Sequence, residues 1–205
     1  MTLLEILMVI AVLALLAAIF LPALADHGHR SSRIGCVNNL KQVGLSFRLW
    51  AGDNGDKYPM RVSTNQGGTM EFVGTGEIFR HFQGMSNELS TPKILFCPND
   101  AKRRCATNFE NDFNNSRISY FVGVDALETN ATMFLCGDRN ITGGIRMRNG
   151  LVTLTTNQTV GWTREIHNEK GNILFADGSV QQLSISGLRT ALENTGIATN
   201  RLAIP

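Results

Sequence analysis

The sequence predicts an α+β fold in which one long N-terminal helix packs on an antiparallel β-sheet. Residues 1–52 pass from a continuous apolar run to an apolar stripe at helical spacing. Beyond them, short apolar and β-branched runs are separated by glycine and asparagine, as in strands joined by turns. A chain of 205 residues with 43% hydrophobic content can form one compact domain with an appendage.

The N-terminal half of the helix, residues 1–25, contains one ionisable side chain, Glu5. Residues 6–25 are apolar or proline without interruption, about the 20 residues that cross a hydrocarbon core of about 30 Å. A secretory signal peptide is the alternative, but it needs a basic segment before its apolar run, and here only an acidic residue precedes it. The sequence therefore predicts a membrane-spanning segment.

Glu5 and Pro22 are the two unusual residues of this segment, and a plain membrane anchor has no use for Glu5. A carboxylate such as Glu5 costs on the order of 3 kcal/mol within a spanning helix. The nearest cation is the α-amino group of Met1, so in a helical assembly we expect Glu5 of one subunit to pair with the amine of its neighbour. Pro22 removes a helical hydrogen bond and predicts a kink, unless it marks the membrane exit.

The second half of the helix, residues 26–52, is predicted to be amphipathic. Its apolar positions recur at three and four residues and lie on one face: Val37, Leu40, Gly44, Phe47 and Ala51. The sequence Gly-Asp-Asn-Gly at 52–55 is predicted to end it. The whole helix would then have about 50 residues and a length of roughly 75 Å, and its amphipathic half needs a sheet to pack on.

The sheet is predicted from five short runs, at residues 118–124, 131–135, 151–155, 173–175 and 180–183. Asp177-Gly178 lies between the last two runs and favours a hairpin turn, because both residues tolerate positive φ angles. Ser186 is the expected N-cap of a short helix over 187–194. Residues 56–116 are predicted to be irregular, and residues 26–205 to form one globular domain.

The N-terminus resembles a known family. Met1-Thr2-Leu3-Leu4-Glu5 and the apolar run that follows are similar to the mature N-terminus of type IV pilins and type II secretion pseudopilins. The resemblance implies a leader removed by a prepilin peptidase, N-methylation of Met1, a helix that loosens at Pro22, and the pilin fold. Many members have Phe at the first position, so Met1 is either the residue exposed by cleavage or an initiator methionine.

Three further segments resemble a large pilin-like family. Residues 36–44 match its CxNNLKQxG signature, and the sequence FCPND at 96–100 resembles a second element. His167 is followed by nine residues and then Asp177-Gly178, which resembles its H-x9-DG element. Each match alone is weak, but together with the N-terminus they cover the chain from end to end.

The resemblance implies a structural subunit of an extracellular type IV pilus-like filament. Such a subunit starts as an inner-membrane precursor, and its partners are the prepilin peptidase, the inner-membrane assembly machinery and other copies of itself. One alternative is a pseudopilin in a periplasmic pseudopilus, and a second is a membrane-tethered binding protein. The formal charge of +2 is too small for the electrostatic footprint of a nucleic-acid binder.

The sequence predicts no enzyme and offers only a weak metal site. His167 and Asp177 could form a general base, but no nucleophile accompanies them, so a hydrogen-bonded structural histidine is the preferred interpretation. Asp53, Asp56, Asp100 and Asp177 are hard oxygen donors and candidate ligands for extracellular Ca²⁺, although their spacing is not that of an EF-hand.

The four cysteines are Cys36, Cys97, Cys105 and Cys136. They are an even number on the outer side of the membrane, where disulfides persist, and they allow three full pairings. Cys97 with Cys105 closes the shortest loop and leaves Cys36 with Cys136. A zinc site is the alternative, but the chain contains no CxxC pair.

Overall fold

The computed structural model describes residues 2–147 and 149–205, and of residues 19–31 it describes the backbone alone. The N-terminal helix, α1, spans Leu3–Asp53 and has 51 residues, which confirms the predicted extent. The chain then leaves the helical path because Gly55 and Asp56 adopt positive φ angles. The side-chain amide of Asn54 donates a hydrogen bond to the Trp50 carbonyl at the end of the helix. The predicted kink at Pro22 falls on a residue whose side chain lies outside the described part.

The amphipathic face of α1 is buried from Cys36 onwards. Its fully buried positions recur at three and four residues: Cys36, Leu40, Val43, Gly44, Ser46, Phe47, Trp50 and Ala51. Val37, which the sequence placed on this face, is only half-buried, and Cys36 takes its place. Gly44 is the point of closest approach to the sheet, since a Cβ atom there would lie 2.7 Å from Leu174 Cδ1.

The sheet has seven strands, and every neighbouring pair in it is antiparallel. The strands are β1 (Tyr120–Gly123), β2 (Phe134–Asp138), β4 (Ile145–Arg146), β5 (Leu151–Leu154), β7 (Lys170–Phe175), β8 (Val180–Ser184) and β9 (Asn200–Ala203). Their order across the sheet is β4-β5-β9-β1-β2-β7-β8. A separate two-stranded sheet pairs β3 (Ile141–Gly143) with β6 (Val160–Trp162). The fold class is therefore α+β, as predicted.

The sheet separates two apolar layers. On one face, α1 and the segment between Asp56 and Ser116 cover side chains such as Tyr120 and Val122. On the other face, helix α4 (Ile185–Asn194) and the β3–β6 pair cover Phe121 and its neighbours. Successive residues of β1 thus enter opposite layers, as the pleat of a strand requires.

The segment between α1 and β1 is more ordered than the sequence predicted. It forms two short helices, α2 (Phe79–Gln83) and α3 (Ser86–Leu89), and single turns of 3₁₀ helix at Pro59–Arg61, Thr64–Gln66, Met70–Phe72, Pro92–Leu95 and Asn115–Arg117. Met60, Phe82, Met85 and Leu95 from this segment are fully buried in the same core as α1. Its short elements therefore form part of the packing around the helix.

Two details of the C-terminal region differ from the prediction. Helix α4 begins two residues earlier than expected, because Ser184 accepts the hydrogen bond from the Gly187 amide and is the N-cap in place of Ser186. The short strands β3, β4 and β6 were not predicted either, and the unpredicted strand β9 lies between β5 and β1 in the sheet. Its neighbours are distant in the chain, so no local turn signal marks it.

Candidate functional site

The N-terminal part of α1 has no packing partner among the residues that the structure describes. All the residues of its 3–18 segment, here called the apolar arm, are exposed. Its large side chains are 44–82% accessible on every face of the helix: Leu3, Leu4, Ile6, Leu7, Met8, Val9, Ile10, Val12, Leu13, Leu15 and Leu16. Among the α1 side chains that the structure describes, Cys36 is the first in a hydrophobic core. A helix that is apolar all round normally has neighbours on all sides.

Glu5 has a role in the isolated chain that the sequence analysis missed. Its carboxylate oxygen Oε2 accepts a hydrogen bond of 2.7 Å from the Thr2 backbone amide, and its own amide donates to the Thr2 hydroxyl. Together they form a capping box, which supplies partners for amides that the start of a helix otherwise leaves free. The Thr-x-x-Glu spacing at 2–5 is the sequence signal for this motif.

The other two residues predicted to act in assembly, Met1 and Pro22, are not fully described by the structure. Met1 lies outside the described residues, and so do the side chains of residues 19–31, which include Pro22 and part of the predicted span 6–25. In the described part of the chain, no helix has the length and apolar content required to cross a membrane.

The three segments of the second resemblance meet at one place in the fold. Cys36 in α1 forms a disulfide with Cys97, across 61 residues of chain. Three residues further along α1, the Asn39 amide donates a 3.0 Å hydrogen bond to the Phe96 carbonyl. The His167 ring lies against the same disulfide, with its Nε2 atom 3.5 Å from Cys97 Sγ. We call Cys36, Cys97, His167, Asp138 and Asn172 the polar cluster.

His167 is held on both ring nitrogens within this cluster. Its Nδ1 atom lies 3.2 Å from the Asn99 amide nitrogen, and its Nε2 atom lies 3.1 Å from the Asn172 amide nitrogen and 3.3 Å from Asp138 Oδ2. Burial, followed by the positive charge of Arg33, lowers the pKa of His167 to about 4. The imidazole is therefore neutral at physiological pH.

Asp138 is the member of the cluster that sequence analysis missed. Its Oδ2 atom accepts bonds of 2.6 and 2.9 Å from the backbone and side-chain amides of Asn172, while Oδ1 has no hydrogen-bond partner among the described residues. Burial raises the pKa of Asp138 to about 7. A buried carboxyl with one unsatisfied oxygen is costly, and it marks this cluster as a candidate site.

The two ends of the H-x9-DG element lie at opposite ends of strand β7. His167 precedes β7, and Asp177-Gly178 follows it, so the six residues of the strand separate them. The turn residue Asp177 accepts from the Ser179 amide, and Gly178 has a φ of +85°. The pair thus forms the hairpin between β7 and β8, which confirms the predicted turn. Among the hydrogen bonds of the described residues, none joins His167 to Asp177.

The four candidate Ca²⁺ ligands do not converge. No three of Asp53, Asp56, Asp100 and Asp177 lie within ligand distance of one another among the described residues. Asp100 is buried and makes a bidentate ion pair with Arg139, at 2.6 and 2.7 Å. Its oxygens already have a cationic partner, so the sequence-based Ca²⁺ set has no common site.

The cysteines pair differently from the shortest-loop expectation. The disulfide joins Cys36 to Cys97, while Cys105 is an exposed free thiol and Cys136 a buried one. The Cys97–Cys105 pairing that closes the shortest loop is not formed, because the fold brings α1 and the segment before β1 together at Cys36. Desolvation raises the pKa of the Cys136 thiol well above its ordinary value, as expected for an inert core thiol.

Comparison with known proteins found no matching family model, no matching curated protein and no matching solved structure.

Proposed function

We propose that this chain is a structural subunit of an extracellular type IV pilus-like filament, with the pilin fold and assembled through the apolar arm. The observation that carries the proposal is the exposure of eleven large apolar side chains on all faces of one continuous helix. The same side chains in a bundle of helices from neighbouring subunits would be buried. The pilin-like motifs at the N-terminus and in the polar cluster favour this assembly over other uses of an apolar helix.

Burial of the apolar arm would be favourable because its exposed apolar surface is large. Fully burying one such side chain is worth about 1.5–3 kcal/mol. The side chains of the arm are about half exposed or more, so their burial in a filament core or a membrane would contribute on the order of 10 kcal/mol per subunit. An exposed apolar surface of this extent marks an interaction site. The membrane would cover the arm before assembly, and neighbouring subunits would cover it afterwards.

The polar cluster has a mechanical role in this proposal. The Cys36–Cys97 disulfide lies at the first turn of α1 that is buried among the described side chains. A covalent link at that point would transmit force from the helix to the segment before β1, so that the helix does not separate from the globular domain. We propose a structural and not a catalytic role for His167, because the side chain is fully buried and a substrate cannot reach it.

Two alternatives share part of this reasoning. A pseudopilin of a type II secretion system would use the same arm in a short periplasmic assembly. A membrane-tethered binding protein would use the arm as an anchor only, and its Glu5 would serve the capping box alone. The number of copies on the cell surface distinguishes a filament subunit from a pseudopilin.

The test separates the charge of Glu5 from its role as a helix cap. Glu5→Gln removes the charge and keeps an acceptor for the Thr2 amide, whereas Glu5→Ala removes both. Thr2→Ala removes the reciprocal bond to the Glu5 amide and keeps the charge, so it is the matched control. Filaments sheared from cells producing each variant are quantified by electron microscopy and immunoblotting.

If Glu5 pairs with a neighbour's amine, both Glu5 variants stop assembly and Thr2→Ala still assembles. If Glu5→Gln forms filaments as well as the wild type, the charge has no role in subunit contact. Mass spectrometry of the sheared material also tests the processing step, since the proposal expects an N-methylated Met1. Material found only in membranes, with no filament, would support the tether.

A further inference from the structure

The polar cluster contains the donor set of a thiophilic metal site. In the described part of the chain, Cys36, Cys97 and His167 are the one group of three or more metal-ligating side chains whose donor atoms lie within 4.8 Å of one another. All three side chains are buried. They come from three separate segments, namely α1, the segment before β1 and the connection into β7, so only the folded chain assembles them.

We propose that in the dithiol form of the protein, Cys36, Cys97 and His167 bind one thiophilic divalent cation of the Zn²⁺ class. This inference goes beyond the filament proposal and does not depend on it. The disulfide and the metal site are then alternative states of the same residues. Both states link α1 to the segment before β1. The metal-bound state also links these two segments to the connection into β7, through His167.

The distances agree with a tetrahedral site. Zinc binds sulfur at about 2.3 Å and imidazole nitrogen at about 2.0 Å, which places neighbouring S and N ligands about 3.5 Å apart. The Cys97 Sγ to His167 Nε2 distance is 3.5 Å. The two sulfurs would need to separate to about 3.8 Å once their bond is broken. The Cα atoms of Cys36 and Cys97 are 5.2 Å apart, so side-chain rotation is enough for this separation.

The surroundings favour a bound cation. His167 is neutral, and its Nε2 atom can bind a cation when Nδ1 carries the ring proton, which requires the Asn99 side-chain amide to turn its oxygen toward Nδ1. Two thiolates neutralise a divalent cation, so the filled site carries no net charge into the interior. Asp138 Oδ2 lies 3.3 Å from His167 Nε2, and its partner oxygen Oδ1 is fully buried without a hydrogen-bond donor among the described residues.

The redox balance needs no unusual partner. A newly made chain carries both cysteines as thiols, and metal binding displaces one proton from each thiol. Formation of the disulfide removes two electrons in all from the two sulfurs, which a disulfide-bearing oxidant accepts by thiol–disulfide exchange, and releases the cation. Because the cluster is buried, the cation enters while the chain folds.

The experiment compares the same full-length chain in its two states. The protein in detergent is unfolded, reduced with a phosphine, and refolded without oxygen in the presence of Co²⁺ as a spectroscopic probe. We expect one equivalent of Co²⁺, with a thiolate-to-cobalt charge-transfer band and the visible bands of tetrahedral cobalt, and displacement by Zn²⁺. The oxidised chain, unfolded and refolded with Co²⁺ but without the phosphine, should bind none.

Variants assign the ligands. Cys97→Ser should weaken the charge-transfer band, Cys36→Ser together with Cys97→Ser should abolish it, and His167→Gln should weaken Co²⁺ binding at least tenfold. Cys105→Ser is the matched control, because Cys105 is a free thiol outside the cluster, and it should bind like the wild type. Circular dichroism reports whether each sample has refolded.

Three results would overturn the proposal. The first is a reduced, refolded wild type that binds no Co²⁺. The second is a charge-transfer band that survives Cys36→Ser together with Cys97→Ser and disappears in Cys105→Ser. The third is a reduced chain that stays unfolded whether or not Co²⁺ or Zn²⁺ is present.

Discussion

Removal of the Cys36–Cys97 disulfide should destabilise the globular domain by about 4 kcal/mol. The two cysteines are 61 residues apart, and the loop-closure entropy of the unfolded chain rises with the logarithm of that length, which gives about 4 kcal/mol near room temperature. The change is Cys36→Ala together with Cys97→Ala. Urea unfolding of the full chain in detergent, followed by the fluorescence of the buried Trp50 and Trp162, measures it.

The expected loss corresponds to a midpoint lower by about 2 M urea for a domain of this size. Two single variants are controls for the sulfur atoms themselves. Cys136→Ala removes a buried free thiol and measures the packing cost, while Cys105→Ala removes an exposed one and should change nothing. If the double variant loses no more than twice the cost of Cys136→Ala, the crosslink does not stabilise the fold. Peptide mapping without reductant should recover Cys36 joined to Cys97.

Three further predictions follow from the contacts of single residues. Because burial raises the folded pKa of Asp138 from 3.8 to about 7, the unfolded chain loses this proton first as the pH rises, and stability contributed by the protonated group declines between these values. The free energy of unfolding of Asp138→Asn, measured with urea relative to the wild type, should therefore rise by on the order of 3 kcal/mol between pH 4 and pH 8. A difference between the two proteins that does not change with pH would contradict this. Gly52→Ala should stabilise α1 by about 1 kcal/mol, because its added methyl group meets nothing within 4 Å. Gly44→Ala places its methyl group against β7 and should destabilise the fold by about 1 kcal/mol. Equal shifts in the melting temperature of the two variants would refute the close approach of α1 to the sheet at Gly44. Arg139→Met leaves a buried carboxylate without its cation and should cost about 3–5 kcal/mol, whereas Arg164→Met breaks an exposed ion pair and should cost less than about 1 kcal/mol in the same assay.

The polar cluster shows which parts of a site a sequence can reveal. His167 and the two cysteines were identified from their residue types and motifs, because the chain has four histidines and four cysteines in all. Asp138 was not, since nothing near it in the chain distinguishes it from a surface aspartate. Its environment is created by the Asn172 amides on the neighbouring strand, which lie 34 residues away.

The shortest-loop rule failed for the cysteines for a related reason. Cys105 is near Cys97 in the chain, but disulfide formation depends on the positions of the Cα atoms in space. The candidate Ca²⁺ ligands show the same limit of prediction from chain position, because Asp100 forms an ion pair with Arg139, which is 39 residues away in the chain. Pairings of this kind are decided when α1, the middle segment and the sheet pack together.

Local sequence is enough to predict the long helix and its end, the α+β class, and the hairpin at Asp177-Gly178. Each of these depends on local signals, namely apolar periodicity, a Gly-Asn cluster and a turn dipeptide with positive φ at glycine. The position of β9 between β5 and β1, the Cys36–Cys97 bond and the surroundings of His167 become known from the folded chain alone. These features consist of contacts between distant segments, and their energy comes from burial and hydrogen bonding that exist only after the segments have met.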